Sequence, residues 1–323
     1  MLNTLTPATI RETANALANV VNRTPIITSR SLNQQLGGLK LFLKAENFQR
    51  VGAFKFRGAY NALRQLSSED KQKGVVTHSS GNHAQGVALA AKLLNIPATI
   101  VMPDDAPVIK RTATAAYGAQ IISCSAAQRE AVSAQLVDQH NYTLIHPYDN
   151  DHVIAGQGTA AWELIHDVPD LDIIFTPVGG GGLISGTALA IAALTPNIKL
   201  VGVEPAAGDD ANRSWRQGTV CRLTAVPQTI ADGLRTRFIG QRNLAIMRQY
   251  VTDMTTVTDQ DIITTLQFVW SRLKIIIEPS AAVALAPLFC GHYHLPTGTK
   301  VGIILSGGNI DLTQCGFFHQ LND

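Results

Sequence analysis

Charge is scarce in this chain of 323 residues. Lys and Arg number 26 and Asp and Glu 24, so charged residues make up 15% and the net charge is +2. Such a balance gives no basic field to draw a nucleic acid or an anionic membrane surface. Cysteine is equally sparse. Cys124, Cys221, Cys290 and Cys315 stand far apart and form no C-x-x-C pair, which removes the usual zinc motifs and a disulfide framework. Reduced thiols in a cytoplasm are the expectation. No uninterrupted apolar run approaches the roughly 20 residues of a membrane span. The opening "MLNTLTPATIRETANAL" is polar and amphipathic, without an apolar signal core. Internal repeats, low-complexity stretches and linkers are also missing, so any domain join must be a crossing of the chain rather than a tether. What remains is a chain 46% hydrophobic, long enough for two α/β domains or one large one.

Short apolar strands alternate with helical segments. "GVVTHSS" leads into "NHAQGVALAAKLL", "PATIVMP" into "APVIKRTATAAYG", and "AQIIS" into "AQREAVSAQLVDQH" and then "YTLIHPY". "LDIIFTPV" runs into "GGGGLISGTALAIAALTP" and on to "KLVGVEP", and "KVGIILSGGN" closes the series. Strands apolar on both faces and joined by helices predict mostly parallel sheets flanked by helices. The densest run of βα units, 72–148, is expected to form a small sheet of its own. Residues 1–71 and 149–323 would then share a larger one.

Ligands in such sheets bind where strand ends feed helix N-termini. Three loops have the composition for it. "SSGNHAQG", Ser79 to Gly86, combines cap-type side chains with a glycine that lets backbone approach a ligand. "GGGGLISG", Gly179 to Gly186, follows an apolar strand and opens an apolar helix. Four consecutive glycines are costly to order, and make sense where several N–H groups wrap a phosphate. "SGGN", Ser306 to Asn309, offers a strand-end hydroxyl. The glycines satisfy neither the G-x-G-x-x-G dinucleotide fingerprint nor the G-x-x-x-x-G-K-[ST] phosphate loop. A dehydrogenase reading, kept open by Glu204 at the end of "VGVEP", therefore lacks its fingerprint.

One further stretch carries a nucleophile. "VGAFKFRGA", residues 51–59, sets Lys55 between Phe54 and Phe56 at the start of a helix. A lysine there gains nothing from the helix dipole, and desolvation would lower its pKa and sharpen its nucleophilicity. A phosphate loop, an amine and polar groups for a heteroaromatic ring together describe pyridoxal 5′-phosphate held as a Schiff base.

With "GAFKFRGA", "SSGNHAQG", "GGGGLISG", "EPAAGDD", "ADGLR" and "LSGGN" in this order, the chain closely resembles the fold-type II pyridoxal-phosphate enzymes. Within them it is similar to the threonine/serine dehydratase and serine racemase group, over nearly its whole length. The resemblance implies a two-domain α/β fold like the tryptophan synthase β chain, each domain an open, mostly parallel sheet. It implies that Lys55 forms the Schiff base and moves protons at Cα, and that Phe54 covers one face of the pyridine. Asn82 would bond the ring's 3′-oxygen. Gly179, Gly180, Gly181, Gly182 and the Leu183 N–H would hold the phosphate, and Ser306 would meet the pyridine nitrogen. Ser79, Ser80, Gly81 and His83 would surround the substrate carboxylate, with Ser80 matching the proton carrier opposite Lys55. Glu204, the Gly208 carbonyl and Asp210 match a divalent-metal site, for which hard oxygen ligands suit Mg²⁺, Ca²⁺ or Mn²⁺.

A homodimer is also implied. The short tail after "LSGGNIDL" leaves no room for a regulatory domain, and Arg50-Val51 stand where nucleotide-activated members often carry lysine and a hydroxyl residue. His78, His140, His146, His152 and His166 show no ligand spacing and read as ordinary polar residues. Glu46 and Glu278 are expected near the surroundings of the lysine, though no spacing places them. The expected activity is an L-threonine/L-serine ammonia-lyase giving a 2-oxo acid and ammonia from a small hydroxy amino acid. Serine racemase and 3-hydroxyaspartate ammonia-lyase are the alternatives, the latter with Arg129 or Arg235 on a second carboxylate.

Overall fold

The structure, a computed structural model, describes residues 5–79, 81–104, 106 and 108–312. Ten strands form two sheets: β1 (Ile26–Ile27), β2 (Lys40–Ala45), β3 (Val75–His78), β4 (Ala98–Pro103), β5 (Gln120–Cys124), β6 (Thr143–Leu144), β7 (Ile173–Pro177), β8 (Lys199–Pro205), β9 (Asp253–Val257) and β10 (Lys300–Leu305). The larger sheet has the order β1-β2-β10-β7-β8-β9 and the smaller β5-β4-β3-β6. All pairings are parallel except β1 with β2. The fold is α/β with two open sheets, as the alternation of apolar strands and helices demands.

The inner strands of the large sheet are buried on both faces. Every residue of β7 is buried, and β8 and β10 expose only their first lysines, Lys199 and Lys300. Helices Asp151–Asp167 and Gly182–Leu194 cover one face through Ile154, Leu164, Ile184 and Leu189. Leu266, Val269, Ala282 and Leu285 cover the other. The small sheet has its own apolar cluster, which Phe56, Leu63 and Val153 extend toward the large one. "YTLIHPY" supplies only the two residues of β6, because the chain turns at Ile145–Tyr148 to cross over the cavity described below. The stripe in "DIITTLQFVWSRL" is core, but the helix Asp259–Phe268 widens into a π-helical turn, Val269–Leu273.

Helix Lys55–Arg64 sits between the two bodies, packed on helices Asn82–Leu94 and Asp151–Asp167. Close approach is possible because a Cβ on Gly156 would lie 2.5 Å from the Arg57 carbonyl oxygen. Arg57 is fully buried and donates to both oxygens of Glu46, at 2.7 and 2.9 Å, and both of Glu163, at 2.7 and 2.9 Å. Lys44, also buried, donates to Glu163 at 2.6 Å. Two cations thus balance two carboxylates, with Thr24 and Thr159 completing the hydrogen bonds. Burial of charge is tolerated only when every member is paired, and this set is.

Candidate active site

The carboxyl ends of β3, β7 and β10 open into one cavity of about 470 Å³ between the sheets. Four helices point their N-termini at it: Lys55, Asn82, Arg129 and Gly182 are each the first residue of a helix of ten or more residues, and each lines the wall. Each end contributes about half a positive charge, although the N–H groups of Phe56, Arg57 and Gly58 on the lysine helix are already bonded, to Ala53, Phe54 and Gln157. The cavity is therefore built for anions.

Lys55 Nζ lies 5.1 Å from the centre of the Phe54 ring and donates to the Pro147 carbonyl at 2.9 Å. The sequence suggested an aromatic sandwich, but only Phe54 contributes. Phe56 turns into the small-sheet cluster against Tyr60. Burial lowers the Lys55 amine to about 8, with Glu278 opposing the fall. A neutral amine is thereby accessible near pH 7.

The four glycines follow β7. Gly181 takes φ +92°, a left-handed turn, and a Cβ on Gly180 would lie 2.2 Å from the Tyr148 ring. Asn243 Nδ2 and Gly240 N–H both donate to the Gly180 carbonyl, at 2.7 and 3.1 Å, so the loop turns its carbonyl away from its free N–H groups. Gly179, Gly180, Gly181, Gly182 and Leu183 all line the cavity. Ser306, 3% exposed, follows β10 on the same wall.

From the small sheet come Ser79, Gly81, Asn82 and His83. Ser79 Oγ accepts the Gly81 N–H at 3.3 Å. Ser80 lies outside the described residues. His83 Nε2 donates to the Ile145 carbonyl at 3.1 Å, and its Nδ1 is buried without a partner. Burial, reinforced by the Lys55 charge, pushes its pKa well below the ordinary value. The ring is thus neutral and no cation for a carboxylate. Its main-chain N–H in the first helical turn is the group suited to that task.

Several cavity residues have no role in the sequence reading, apart from Glu278, which was expected near Lys55 and shares its cavity, while Glu46 does not line it. His78 lines the wall and meets His146 edge-on at 5.7 Å, and His146 meets Tyr148 at 4.6 Å. Tyr148, whose hydroxyl donates to the Phe238 carbonyl at 3.3 Å, covers the glycine loop. Glu278 accepts from Asn82 at 2.7 Å. Thr236 brings a buried hydroxyl with no hydrogen-bond partner. Nothing local in the sequence marks these residues, since each arrives from another element. Of the two candidate arginines, Arg235 is tied back to the Thr229 carbonyl by Nε at 2.8 Å and by Nη2. Arg129 is half-buried on the wall, and its guanidinium makes no hydrogen bond or ion pair among the described residues.

Glu204, Gly208 and Asp210 lie apart from the cavity wall, at and after the end of β8. Glu204 is fully buried and accepts the N–H groups of Ala211 and Asn212, at 3.1 and 2.6 Å. Both carboxylate oxygens of Asp210 are buried, and no other described residue donates to them. Burial raises the pKa of Asp210 to about 7, and burial followed by the Asp210 charge raises that of Glu204. Among the described residues no three His, Cys, Asp or Glu side chains converge as a metal cage. The described thiols Cys124, Cys221 and Cys290 are free, and Cys315 lies outside the described residues. Among the described residues no helix is long and apolar enough to cross a membrane.

A half-buried lysine, four consecutive glycines at a helix start and a strand-end hydroxyl share one cavity wall, an arrangement suited to a phosphorylated aldehyde held as a Schiff base. The residues fit pyridoxal phosphate: the cradle at Gly180 is too tight for any Cβ, and the Lys55 amine is activated. The chain belongs to the pyridoxal-phosphate dependent enzymes, whose family model matches residues 17–307. It is 50% identical over 305 residues to L-threo-3-hydroxyaspartate ammonia-lyase of Saccharomyces cerevisiae, covering 94% of this chain and 93% of that protein. The crystal structure of serine racemase from Dictyostelium discoideum superposes with a TM-score of 0.90 at 43% identity, covering 96% and 100% of the two chains. Maize serine racemase superposes with a TM-score of 0.93 at 41% identity, covering 98% of each chain.

Proposed function

We propose that the protein is an ammonia-lyase for 3-hydroxy amino acids, with 3-hydroxyaspartate preferred over L-serine and L-threonine. The observation that carries this ranking is Arg129, a guanidinium on the cavity wall with no partner among the described residues. Threonine and serine, the substrates expected first from sequence, give it nothing to bind. A second carboxylate would pair with it in a bidentate fashion. The identity to the yeast hydroxyaspartate enzyme supports the same ranking.

Bound to Lys55, pyridoxal phosphate supplies an electron sink for the bond broken at Cα. Gly179–Gly182 and the Leu183 N–H would hold its phosphate, Ser306 would meet its ring nitrogen, Asn82 its ring oxygen, and Phe54 one ring face. Ser306 is neutral and leaves the ring a moderate sink, which suits a reaction where the β-hydroxyl departs as Cα loses its proton. Lys55, once free, takes that proton, because its lowered pKa gives it a neutral amine near pH 7. Ser79, Gly81 and the His83 N–H bind the α-carboxylate. Ser80 is the proton donor and acceptor on the opposite face, which keeps racemisation chemically open. Residues 72–148 act as a small domain that closes on the substrate, excluding water and aligning the Cα–H bond. The enzyme works as a homodimer in a cytoplasm.

A divalent cation, Mg²⁺ or else Ca²⁺ or Mn²⁺, is assigned to Glu204, the Gly208 carbonyl and Asp210. Asp210's buried carboxylate, to which no other described residue donates, supports it, and water would supply the remaining ligands. Its role is to stabilise the fold by mass action.

The test is a substrate panel of L-threo-3-hydroxyaspartate, L-serine and L-threonine, read for 2-oxo acid, ammonia and D-amino acid. The expected result is the highest kcat/KM for hydroxyaspartate elimination. Faster racemisation of serine than elimination of any substrate would overturn the reading.

A further inference from the structure

Asn309 lies three residues beyond Ser306 and does not line the cavity. Its amide nitrogen nevertheless makes two bonds toward the site, donating to the Val51 carbonyl at 2.7 Å and to Asn82 Oδ1 at 2.9 Å. The Asn82 amide nitrogen in turn donates to Glu278 Oε1 at 2.7 Å. An asparagine amide has two faces, and rotation by half a turn exchanges its oxygen and nitrogen. Here the exchange is blocked at both ends. Asn309 can only donate through its nitrogen, so Asn82 must turn its oxygen to it. Glu278 accepts, so Asn82 must turn its nitrogen that way. The second hydrogen on Asn82 Nδ2 is left for a ligand.

Asn309 is itself boxed in. Val51 adopts φ 56° and ψ 15°, a left-handed conformation that a β-branched residue avoids, and Gly52 follows at φ +69°. A Cβ on Gly52 would lie 2.6 Å from Asn309 Oδ1, and Gly308 N–H closes the turn on the Gly52 carbonyl at 2.9 Å. Backbone strain persists only where its surroundings over-determine it. At Val51 the strained turn aims its carbonyl at the Asn309 amide.

We infer that Asn309 is a positioning residue that fixes which face of the Asn82 amide the cofactor ring meets, and that the strained Val51–Gly52 turn holds Asn309 in place for this. The inference rests on the proposed contact between Asn82 and the ring oxygen. With Asn309 unable to donate, the Asn82 amide keeps only its Glu278 tether, and its plane swings about that one bond, which weakens and misdirects the hydrogen left for the ring oxygen.

A double-mutant cycle on the holoenzyme tests it, with cofactor dissociation constant, visible absorption band and melting temperature as readouts. Asn82→Ala is expected to weaken cofactor binding about tenfold, the worth of one charge-assisted hydrogen bond. Asn309→Ala should weaken it by a smaller factor and shift the band. In the Asn82→Ala background it should cost nothing further, because the effect acts through Asn82. Asn309→Asp keeps size and shape but loses the donor, and should behave as Asn309→Ala does; it carries the cycle if the alanine variant does not fold. Additive losses in the double variant, or a wild-type band and retention in Asn309→Asp, would overturn the inference while leaving Asn82's role intact. Wild-type retention in Asn82→Ala would overturn the role of Asn82, and the inference with it.

Discussion

The main-chain N–H of Phe54 donates to the carbonyl of Ser306 at 3.1 Å. This one bond joins the residue before the lysine to the residue after β10, and Ala53 and Gly307 pair beside it as an isolated antiparallel bridge. The Lys55 amine and Ser306, the residue proposed to meet the ring nitrogen, therefore sit on opposite sides of a backbone clamp. Their separation does not depend on the Ser306 side chain.

Ser306→Ala should consequently keep the site's geometry. The variant loses one hydrogen bond to the ring, worth about 1 kcal/mol. Cofactor dissociation, followed by dialysis, should rise roughly five- to tenfold. The melting temperature without cofactor should stay at the wild-type value. A large fall in that temperature would show the hydroxyl to be structural.

Capture of pyridoxal phosphate by cofactor-free protein should rise with pH through about 8, the Lys55 value. Schiff-base formation needs the neutral amine, whose fraction grows as pH climbs toward the pKa. At pH 7.5 that fraction is about one quarter, against roughly 0.1% for an ordinary lysine. Below pH 7 the capture rate should fall about tenfold per unit. A profile still climbing between pH 9 and 10 would show that Lys55 is not desolvated.

Lys55, the glycine loop and Ser306, singled out in the sequence, do line one cavity, because helix starts and strand ends of a parallel sheet gather at its carboxyl edge. The two sheets were legible for a related reason, since strands apolar on both faces leave few arrangements. The positions of Tyr148 and Thr236 and the bonding of Asn309 were not, and Glu278 was expected near Lys55 without a placement. Tyr148 reaches the glycine loop from the crossover after β6, and Glu278 comes from the turn that follows the π-helical segment. Lys44, Glu46, Arg57 and Glu163 become one charge network only when four elements pack together. Local pattern carries none of this.

Gly180→Ala should cripple cofactor binding more than Gly179→Ala does. An added methyl at Gly180 meets the Tyr148 ring at 2.2 Å, whereas at Gly179 its nearest neighbour is 3.3 Å away. Overpacking of this kind costs about 1–3 kcal/mol, roughly ten- to hundredfold in retention if the loop moves to relieve it. Adding Tyr148→Ala should restore part of the loss. No rescue in the double variant would place the damage in the glycine backbone itself.

Arg57→Ala should lower stability by about 3–5 kcal/mol, because it strands the buried Glu46 and leaves Glu163 with Lys44 alone. Chemical denaturation measures this directly. Arg57→Lys keeps the charge but cannot serve Glu46 and Glu163 together, so it should recover only part of the loss. A loss under about 1 kcal/mol for Arg57→Ala would mean that water reaches Glu46 and Glu163.

Arg129 and Arg235 divide the substrate question between them. Arg235 has its guanidinium committed to the Thr229 carbonyl, and to turn inward it would have to break two hydrogen bonds. Arg129 breaks none among the described residues, and it opens the helix Arg129–His140 beside the cavity. It stands on the small-sheet side, so a β-carboxylate bound there would also draw 72–148 toward the cofactor. Arg129→Ala should then cut kcat/KM for 3-hydroxyaspartate by about 10²–10³, the value of a partly desolvated charged pair. Serine and threonine, which place no charge there, should lose less than about threefold. Arg235→Ala should leave the ratio between substrates unchanged. Equal losses on all three substrates in Arg129→Ala would reduce that arginine to a structural residue. A selective loss in Arg235→Ala would transfer the second-carboxylate site to the loop around Thr229.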